Sequence, residues 1–291
     1  MVRYLKHYNI DKQRWNDTLD QSHNRLIYAT SWYLDIVSPD WEALVEDDYK
    51  SIMPLPAKKK YGIPYLIQPK FVQQLGIFSP NQINTDLVTD YLHTIPHKFV
   101  WQCFHWNSKN PLNGFHGVNV RLNYELSLLH NYDSIFCNYN ENTQRNIAKA
   151  NKSGYQVVKM NDFCGFHELY KRYSRHAPNE TSIYQLQQII DASLSKRMGL
   201  IMVARNLKME VVAGAFFLTA FDRIIYLTSF VTDEGYSNSA MFLIMDEMIK
   251  RYSSGLSVFD FEGSMIPGIA RFFEGFGGVK TAYFEYNKRV I

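Results

Sequence analysis

A carboxylate at the end of an aromatic strand is the first place to look for chemistry. Glu262 follows Phe259 and Phe261 and precedes Gly263 and Ser264, two small residues that let a substrate approach. In open α/β sheets ligands gather at the carboxyl ends of strands. Rings that exclude water raise a carboxyl pKa toward the working range of a general base. Glu262 is also suited to capping a helix that starts at Pro267, or to pairing with Arg271. Tyr283 and Tyr286 lie on the last predicted strand at an odd spacing and face opposite sides. Either phenol suits proton donation, although in a chain with 20 tyrosines plain packing is the commoner role. Arg145, Lys149 and Lys152 recur at i, i+4 and i+7 and make one basic stripe. With Lys171, Arg172 and Arg175 the stripe suits phosphate from a nucleotide-linked substrate, a tRNA or a lipid pyrophosphate; a solvated helix face is the alternative.

Other chemistries are excluded by spacing. Gly275-Phe-Gly-Gly278 precedes a strand instead of opening a helix, so it is a turn and not a phosphate loop. His93 and His97 are separated by Pro96, which spoils a helical metal pair. No H-E-x-x-H, G-x-S-x-G or G-x-x-x-x-G-K occurs, and no metal site is expected. Cys103, Cys137 and Cys164 are an odd set without a C-x-x-C pair, which fits a reducing compartment. The 31 Lys and Arg against 28 Asp and Glu leave a net charge of +3, too little to mark a dedicated nucleic-acid binder, with a local basic patch left open and no DNA partner expected. The amino terminus has no apolar signal core, and the longest apolar stretch, 211–221, is too short to span a bilayer. Cytoplasm is the expected location.

The elements that must position these residues are clearest in the second half. A strand over 155–159 leads to a helix capped at Asn161-Asp162, whose inner face is Phe163, Phe166, Leu169, Tyr170 and Tyr173. A second helix spans 183–198. Strands over 200–205, 211–221 and 224–230 follow, joined by polar turns. A Gly/Ser/Asn stretch, 233–239, opens a helix with Met241, Ile244, Met245, Met248 and Ile249 inward. A strand over 257–261, a helix from Pro267 to Phe273 and a strand over 281–286 complete the order β-α-α-β-β-β-α-β-α-β.

The first half carries a related pattern. Residues 44–53 and 202–211 are each strand, polar turn and strand, followed by another turn and a Tyr-bearing strand (Tyr65, Tyr226). The spacing between copies is 203 − 45 = 158 at the start and 226 − 65 = 161 at the end, a drift that turn insertions explain. We expect two copies of one α/β unit, residues 1–135 and 136–291, with a seam near 129–142.

That element order, with its pause before the Met-rich helix, resembles the GNAT acyltransferase fold across residues 155–286. Two such units in tandem resemble the FemAB-type family. Asn142 to Gly154, with Arg145-Asn-Ile-Ala-Lys-Ala150, is similar to the helix that joins the two units in that family. Asp260-Phe-Glu-Gly-Ser264, Gly268-Ile-Ala-Arg-Phe-Phe273 and Gly275-Phe-Gly-Gly278 resemble its C-terminal signature. Pro69 with Gly76-Ile-Phe-Ser79 resembles a segment of its N-terminal unit.

The resemblance implies transfer of an acyl or aminoacyl group from an activated ester or thioester to a primary amine, such as a cell-wall precursor or a small molecule. Acyl-CoA and aminoacyl-tRNA are the donors it implies. On this reading Glu262 is the expected base, Tyr283 or Tyr286 the expected proton donor, and Tyr226, Ser264, Arg271, Arg145 and Lys149 the expected substrate contacts. Tyr226, Thr228 and Ser229 would lie on the strand that pairs with the donor. Ordinary acetyl-CoA users hold pyrophosphate with Arg/Gln-x-x-Gly-x-Gly/Ala. Here the region reads Gly235-Tyr-Ser-Asn-Ser-Ala240, so Ser237, Asn238, Ser239 and Ala240 are the expected donor contacts through backbone N–H groups. The alternatives are an acetyl-CoA-dependent N-acetyltransferase of a small amine and a non-catalytic binding protein on the same fold.

Overall fold

The structure, a computed structural model of the chain, describes residues 1–161, 163–174 and 178–289. The expected helix-capping residue Asp162 and the expected phosphate ligand Arg175 lie outside the described residues. In chain order the elements are β1 (Val2–Leu5), α1 (Lys12–Gln21), α2 (Ser31–Val37), β2 (Glu42–Glu46), β3 (Ser51–Leu55), β4 (Ala57–Lys60), β5 (Ile63–Ile67), α3 (Thr85–Thr94), β6 (Trp101–Trp106) and β7 (Val118–Ser127). Then come α4 (Tyr132–Cys137), α5 (Glu141–Lys152), β8 (Gln156–Met160), α6 (Phe163–Tyr173), α7 (Glu180–Ser195), β9 (Gly199–Arg205), β10 (Val211–Ala220) and β11 (Arg223–Val231). The chain continues through α8 (Asp233–Ser237), α9 (Ala240–Tyr252), β12 (Val258–Asp260), α10 (Pro267–Gly275) and β13 (Val279–Arg289). The second half follows the expected order with one addition, the short α8. Helix α9 turns in Leu243 where Met241 was expected; Met241 is only half-buried.

Contacts divide the chain into two compact units, residues 1–122 with 282–291, and residues 123–281. The divisions fall inside β7 and β13. The expected copies, 1–135 and 136–291, are continuous stretches, whereas the N-terminal unit takes in the end of β13.

Each unit has three antiparallel strands in succession, β1–β3 and β8–β10. In the N-terminal unit β1, β2 and β3 form an antiparallel sheet. After Pro56 the chain makes the β4–β5 hairpin; β5 runs parallel to β6, and β6 pairs antiparallel with β13. In the C-terminal unit β8, β9, β10 and β11 are antiparallel neighbours, β11 runs parallel to β12, and β12 pairs antiparallel with β7. The hairpins β2–β3 and β9–β10 each follow an antiparallel partner strand, β1 and β8; the Tyr226 strand β11 lies between β10 and β12, whereas the Tyr65 strand β5 pairs with β4 and β6.

Local chemistry explains why the helices start where they do. Asp11 accepts the N–H groups of Gln13 and Arg14 and opens α1, whose Trp15 and Leu19 face inward at i and i+4. Asn84, Asn140 and Asn179 cap α3, α5 and α7 in the same manner. Helices α1 to α3 complete the N-terminal unit. Val88 and Tyr91 of α3 join Leu66, Phe104, Trp106, Phe284 and Tyr286 in one buried cluster.

The segment after β5 is tied down by three buried asparagines. Asn24, Asn107 and Asn110 are at most 7% exposed. They donate to the carbonyl of Ile77, and Asn110 Oδ1 accepts the Ile77 N–H at 2.7 Å. Gly76 sits at φ +93°, and a Cβ there would lie 2.3 Å from Asn110 Oδ1. Gly76→Ala is therefore expected to cost about 2–3 kcal/mol, from left-handed strain plus a damaged buried hydrogen bond. Gly62→Ala, at φ +80° with open space around it, carries only the strain, roughly 1 kcal/mol. Urea denaturation of the two variants side by side checks the difference.

Candidate functional site

In the C-terminal unit β11 and β12 part company. Their parallel ladder runs from Arg223–Val258 to Ile225–Asp260, and β12 ends there while β11 continues to Val231. Opposite Phe216 and Phe217 the register slips by one residue at Leu227. The bulge re-phases the strand, so that the Tyr226 hydroxyl and Ser229 Oγ hydrogen-bond to each other although they are three residues apart. The Tyr226 ring packs on Phe217 and Phe273, and Phe273 stacks on Phe261 at 5.0 Å. An aromatic floor therefore lies beneath the place where the strands diverge.

Glu262 stands at that place. It adopts φ +58°, followed by Gly263 at +55°, so the chain turns sharply as it leaves β12. Its N–H donates to Asp260 Oδ1 at 2.9 Å. Asp260 is 1% exposed and belongs to a charged network. Arg223 Nη1 donates to Asp260 Oδ2 at 2.7 Å and to Glu125 Oε1 at 2.6 Å, and Asn123 donates to Asp260 Oδ1 at 3.0 Å. Burial opposes the charge on Arg223, but the two carboxylates more than offset it and hold its pKa above the usual value. A buried ion pair thus fixes the turn that presents Glu262. At the start of α10 the N-cap is Ile266, whose side chain makes no capping bond, and the Ile266 N–H goes to Ser264 Oγ. Ser264 is half-buried and Arg271 exposed.

The second group lies at the start of α9. Ser239, at φ +63°, is its N-cap, and no side chain caps the first turn. Helix α5 meets this point. Ser239 Oγ donates to Asn146 Oδ1 at 2.7 Å, and Lys149 Nζ donates to the Ser237 carbonyl at 2.6 Å. Asn238 donates to the Tyr155 hydroxyl at 3.1 Å. The structure thus joins the basic stripe to the segment expected to hold a donor. Arg145, Lys149 and Lys152 are exposed, opposite the buried Thr143, Ile147 and Ala150.

Two of the expected backbone donors need correcting. The N–H groups of Asn238 and Ser239 are used by carbonyls of α8, those of Glu234 and Tyr236. The groups suited to an anion are instead the N–H groups of Ala240 and Met241 at the start of α9, since that of Phe242 bonds to the Ser239 carbonyl at 3.0 Å. Gly235 packs α8 closely against the sheet, since a Cβ would lie 2.1 Å from the Val212 carbonyl oxygen.

Tyr283 and Tyr286 belong to the N-terminal unit. Tyr286 is 5% exposed and packs on Phe104 and Trp106 in the core, and burial raises its pKa. Tyr283 lies edge-on to His105 at 5.4 Å. His105, donating Nδ1–H to the Gln73 carbonyl at 2.9 Å, is held below its ordinary pKa by burial. Glu285 is pushed up by burial, but Arg121 more than reverses this and lowers its carboxyl.

The N-terminal unit closes the place equivalent to the β11–β12 divergence. Its chain detours over 68–74 and returns between β3 and β6. Phe78 exchanges both backbone hydrogen bonds with Ile52, while Leu75 bonds to His105 and Asn107. The backbone there is already paired.

Sequence reasoning missed the network behind Glu262. The signal was Asp260 itself, a carboxylate between Phe259 and Phe261, because a buried acid needs a counter-charge. Among the described residues no group of three or more His, Cys, Asp or Glu is placed to hold a metal ion. Nor is any helix of the described residues long and apolar enough to cross a membrane.

Solved structures share this architecture. The chain matches the crystal structure of FemX with a TM-score of 0.69 at 12% identity, over 96% of both chains. It matches a tandem GNAT protein from the clavulanic acid biosynthesis pathway with a TM-score of 0.59 at 12% identity, over 100% of this chain and 99% of that one. It matches L-PGS from Bacillus licheniformis with a TM-score of 0.56 at 11% identity, over 95% and 91%. No family model and no curated protein matches the sequence. At such identities the likeness shows the fold alone: an α/β chain of two GNAT-type units in tandem, as the sequence resemblance implied.

Proposed function

We propose that the chain is an acyltransferase whose C-terminal unit carries the transfer site. An activated acyl ester or thioester lies along β11 beyond the end of its ladder with β12, and a primary amine attacks it. The observation that carries this proposal is the early end of the β11–β12 ladder, with Glu262 presented at the opening and Tyr226 and Ser229 along its side. Glu262 takes the proton from the attacking amine. As the C–N bond forms the acyl C–O or C–S bond breaks, and the alcohol or thiol leaves with the proton that Glu262 returns. Main-chain N–H groups of β11 beyond Ile225 stabilise the oxyanion that develops. The place of Tyr283 against His105 and of Tyr286 in a hydrophobic core supports packing as their part in this proposal. The two copies of the repeat, 1–135 and 136–291, remain part of the proposal, with the first copy inactive because its equivalent opening is closed by residues 75–78.

The donor in this proposal bears phosphate, as acyl-CoA and aminoacyl-tRNA both do. The uncapped first turn of α9 and the lysine beside it support that choice. The proposed acceptor is the amine of a cell-wall precursor or of a small molecule. Calorimetric titration with CoA, acyl-CoA and aminoacyl-tRNA tests the site. Tight binding of one of them, weakened about 10-fold or more in Arg145→Ala/Lys149→Ala and with a flatter salt dependence, is the expected result. Stability should change by no more than about 1 kcal/mol, because both charges are exposed. Unchanged binding across salt would return the stripe to a solvated face.

A further inference from the structure

The β4–β5 hairpin has features that neither the transfer site nor the core requires. Its loop has two residues, Tyr61 at φ +51° and Gly62 at φ +80°, between the paired Lys60 and Ile63. Positive φ at both positions is the tight type I′ geometry, which favours Asn, Asp or Gly at the first of them. Tyr61 fills that position and is 93% exposed; Ile63 is 53% exposed. Lys58, Lys59 and Lys60 are all exposed, and among the described residues none of them is ion-paired to a carboxylate.

Register extends this surface along one face of the sheet. Lys58 is opposite Tyr65, and Lys60 opposite Ile63, so these four side chains share a face. Tyr65 stacks on Trp101 at 6.1 Å, and Trp101 lies opposite the exposed Arg289 of β13. One edge of the N-terminal unit therefore carries Lys58, Lys60 and Arg289 among Tyr61, Ile63, Tyr65 and Trp101. The hairpin strands contain no acidic residue. Lysines on an edge strand do discourage pairing with other chains. That role would not place Tyr61 and Ile63 in water at a strained turn.

We propose that this hairpin is a docking surface for an anionic phospholipid membrane. Cations interspersed with tyrosine, tryptophan and a short aliphatic tip match the lipid interface, where amphipathic rings sit at headgroup level and lysines meet phosphate. The rigid two-residue turn lets Tyr61 and Ile63 enter without an ordering cost. Binding is peripheral and reversible, and it is independent of the transfer chemistry.

Flotation of the full chain with phosphatidylcholine vesicles, with and without phosphatidylglycerol, tests this. Binding is expected only with the anionic lipid and is expected to fade with added salt. Lys58→Ala/Lys60→Ala should weaken it roughly 25-fold, about fivefold for each lysine. Tyr61→Asn should weaken it several-fold while keeping or raising the melting temperature, because Asn suits the left-handed turn. A stabilised variant that binds less isolates the ring from any effect on folding. The proposal is overturned if wild-type protein ignores phosphatidylglycerol, or if both variants float like wild type. It is also overturned if a single-stranded RNA binds in a Lys58- and Lys60-dependent way while vesicles do not.

Discussion

Glu262→Gln is expected to lower turnover by on the order of 10²–10⁴-fold while leaving the fold intact. The substitution is nearly isosteric and keeps the main-chain N–H that Asp260 accepts, so the turn out of β12 survives. It removes the capacity to accept a proton. Had Glu262 capped the following helix, its loss would cost about 0.5–2 kcal/mol. Helix α10 has no side-chain cap, so the melting temperature should move little. Turnover and thermal melting measured on one preparation separate the two roles. A variant that is destabilised yet active would end the assignment of Glu262 as base. A wild-type chain that binds donor and amine yet transfers nothing would favour a binding protein.

Arg223→Ala is expected to have the largest effect on stability. It removes the cation from Asp260, which is 1% exposed. Breaking one partner of a buried pair typically costs about 3–5 kcal/mol, because the other charge is stranded. A value near the lower end, about 3 kcal/mol, is expected, since the Arg223 side chain is itself 21% exposed and admits water to the gap. Arg223→Lys should cost less, roughly 1–2 kcal/mol, because an ammonium restores the charge but not the fit of one nitrogen between Glu125 and Asp260. Urea midpoints give the ranking. The same variants should lose activity in that order, since Asp260 also holds the Glu262 N–H. If Arg223→Ala were as stable as wild type, the network would not be what positions Glu262.

What could be read from the sequence follows the range of the interactions concerned. The strands 200–205, 211–221 and 224–230 alternate or run apolar between polar turns, so periodicity finds them. Helix α9 declares itself through its methionines and isoleucines. The first half was harder because its strands are short and interrupted. Pro54 sits inside the third strand and Pro56 follows its end, and after β5 the chain detours over 68–74 before residues 75–78 pair again. Only the hairpin at 44–55 and the Tyr65 strand kept a readable pattern. At the candidate site, Glu262 was legible because it sits among aromatics and small residues. The contact of Lys149 with Ser237, 88 residues away, was not, because no local pattern encodes it. Nor was the pairing of Arg223 with Glu125 and Asp260, in which each residue looks like an ordinary polar strand end.

The return of residues 282–289 to the N-terminal unit bears on how the chain is made. Leu66, Phe104 and Trp106 share a core with Phe284 and Tyr286, which the ribosome adds only after the whole of 123–281. The C-terminal unit is one continuous stretch and can assemble as it emerges. The N-terminal unit cannot finish its sheet until synthesis has passed β13, and β6 waits meanwhile with an open edge. A chain stalled before Phe284 would therefore present unpaired strand and apolar surface to chaperones and proteases. Maturation is in this sense vectorial in reverse, with the part made first completed last.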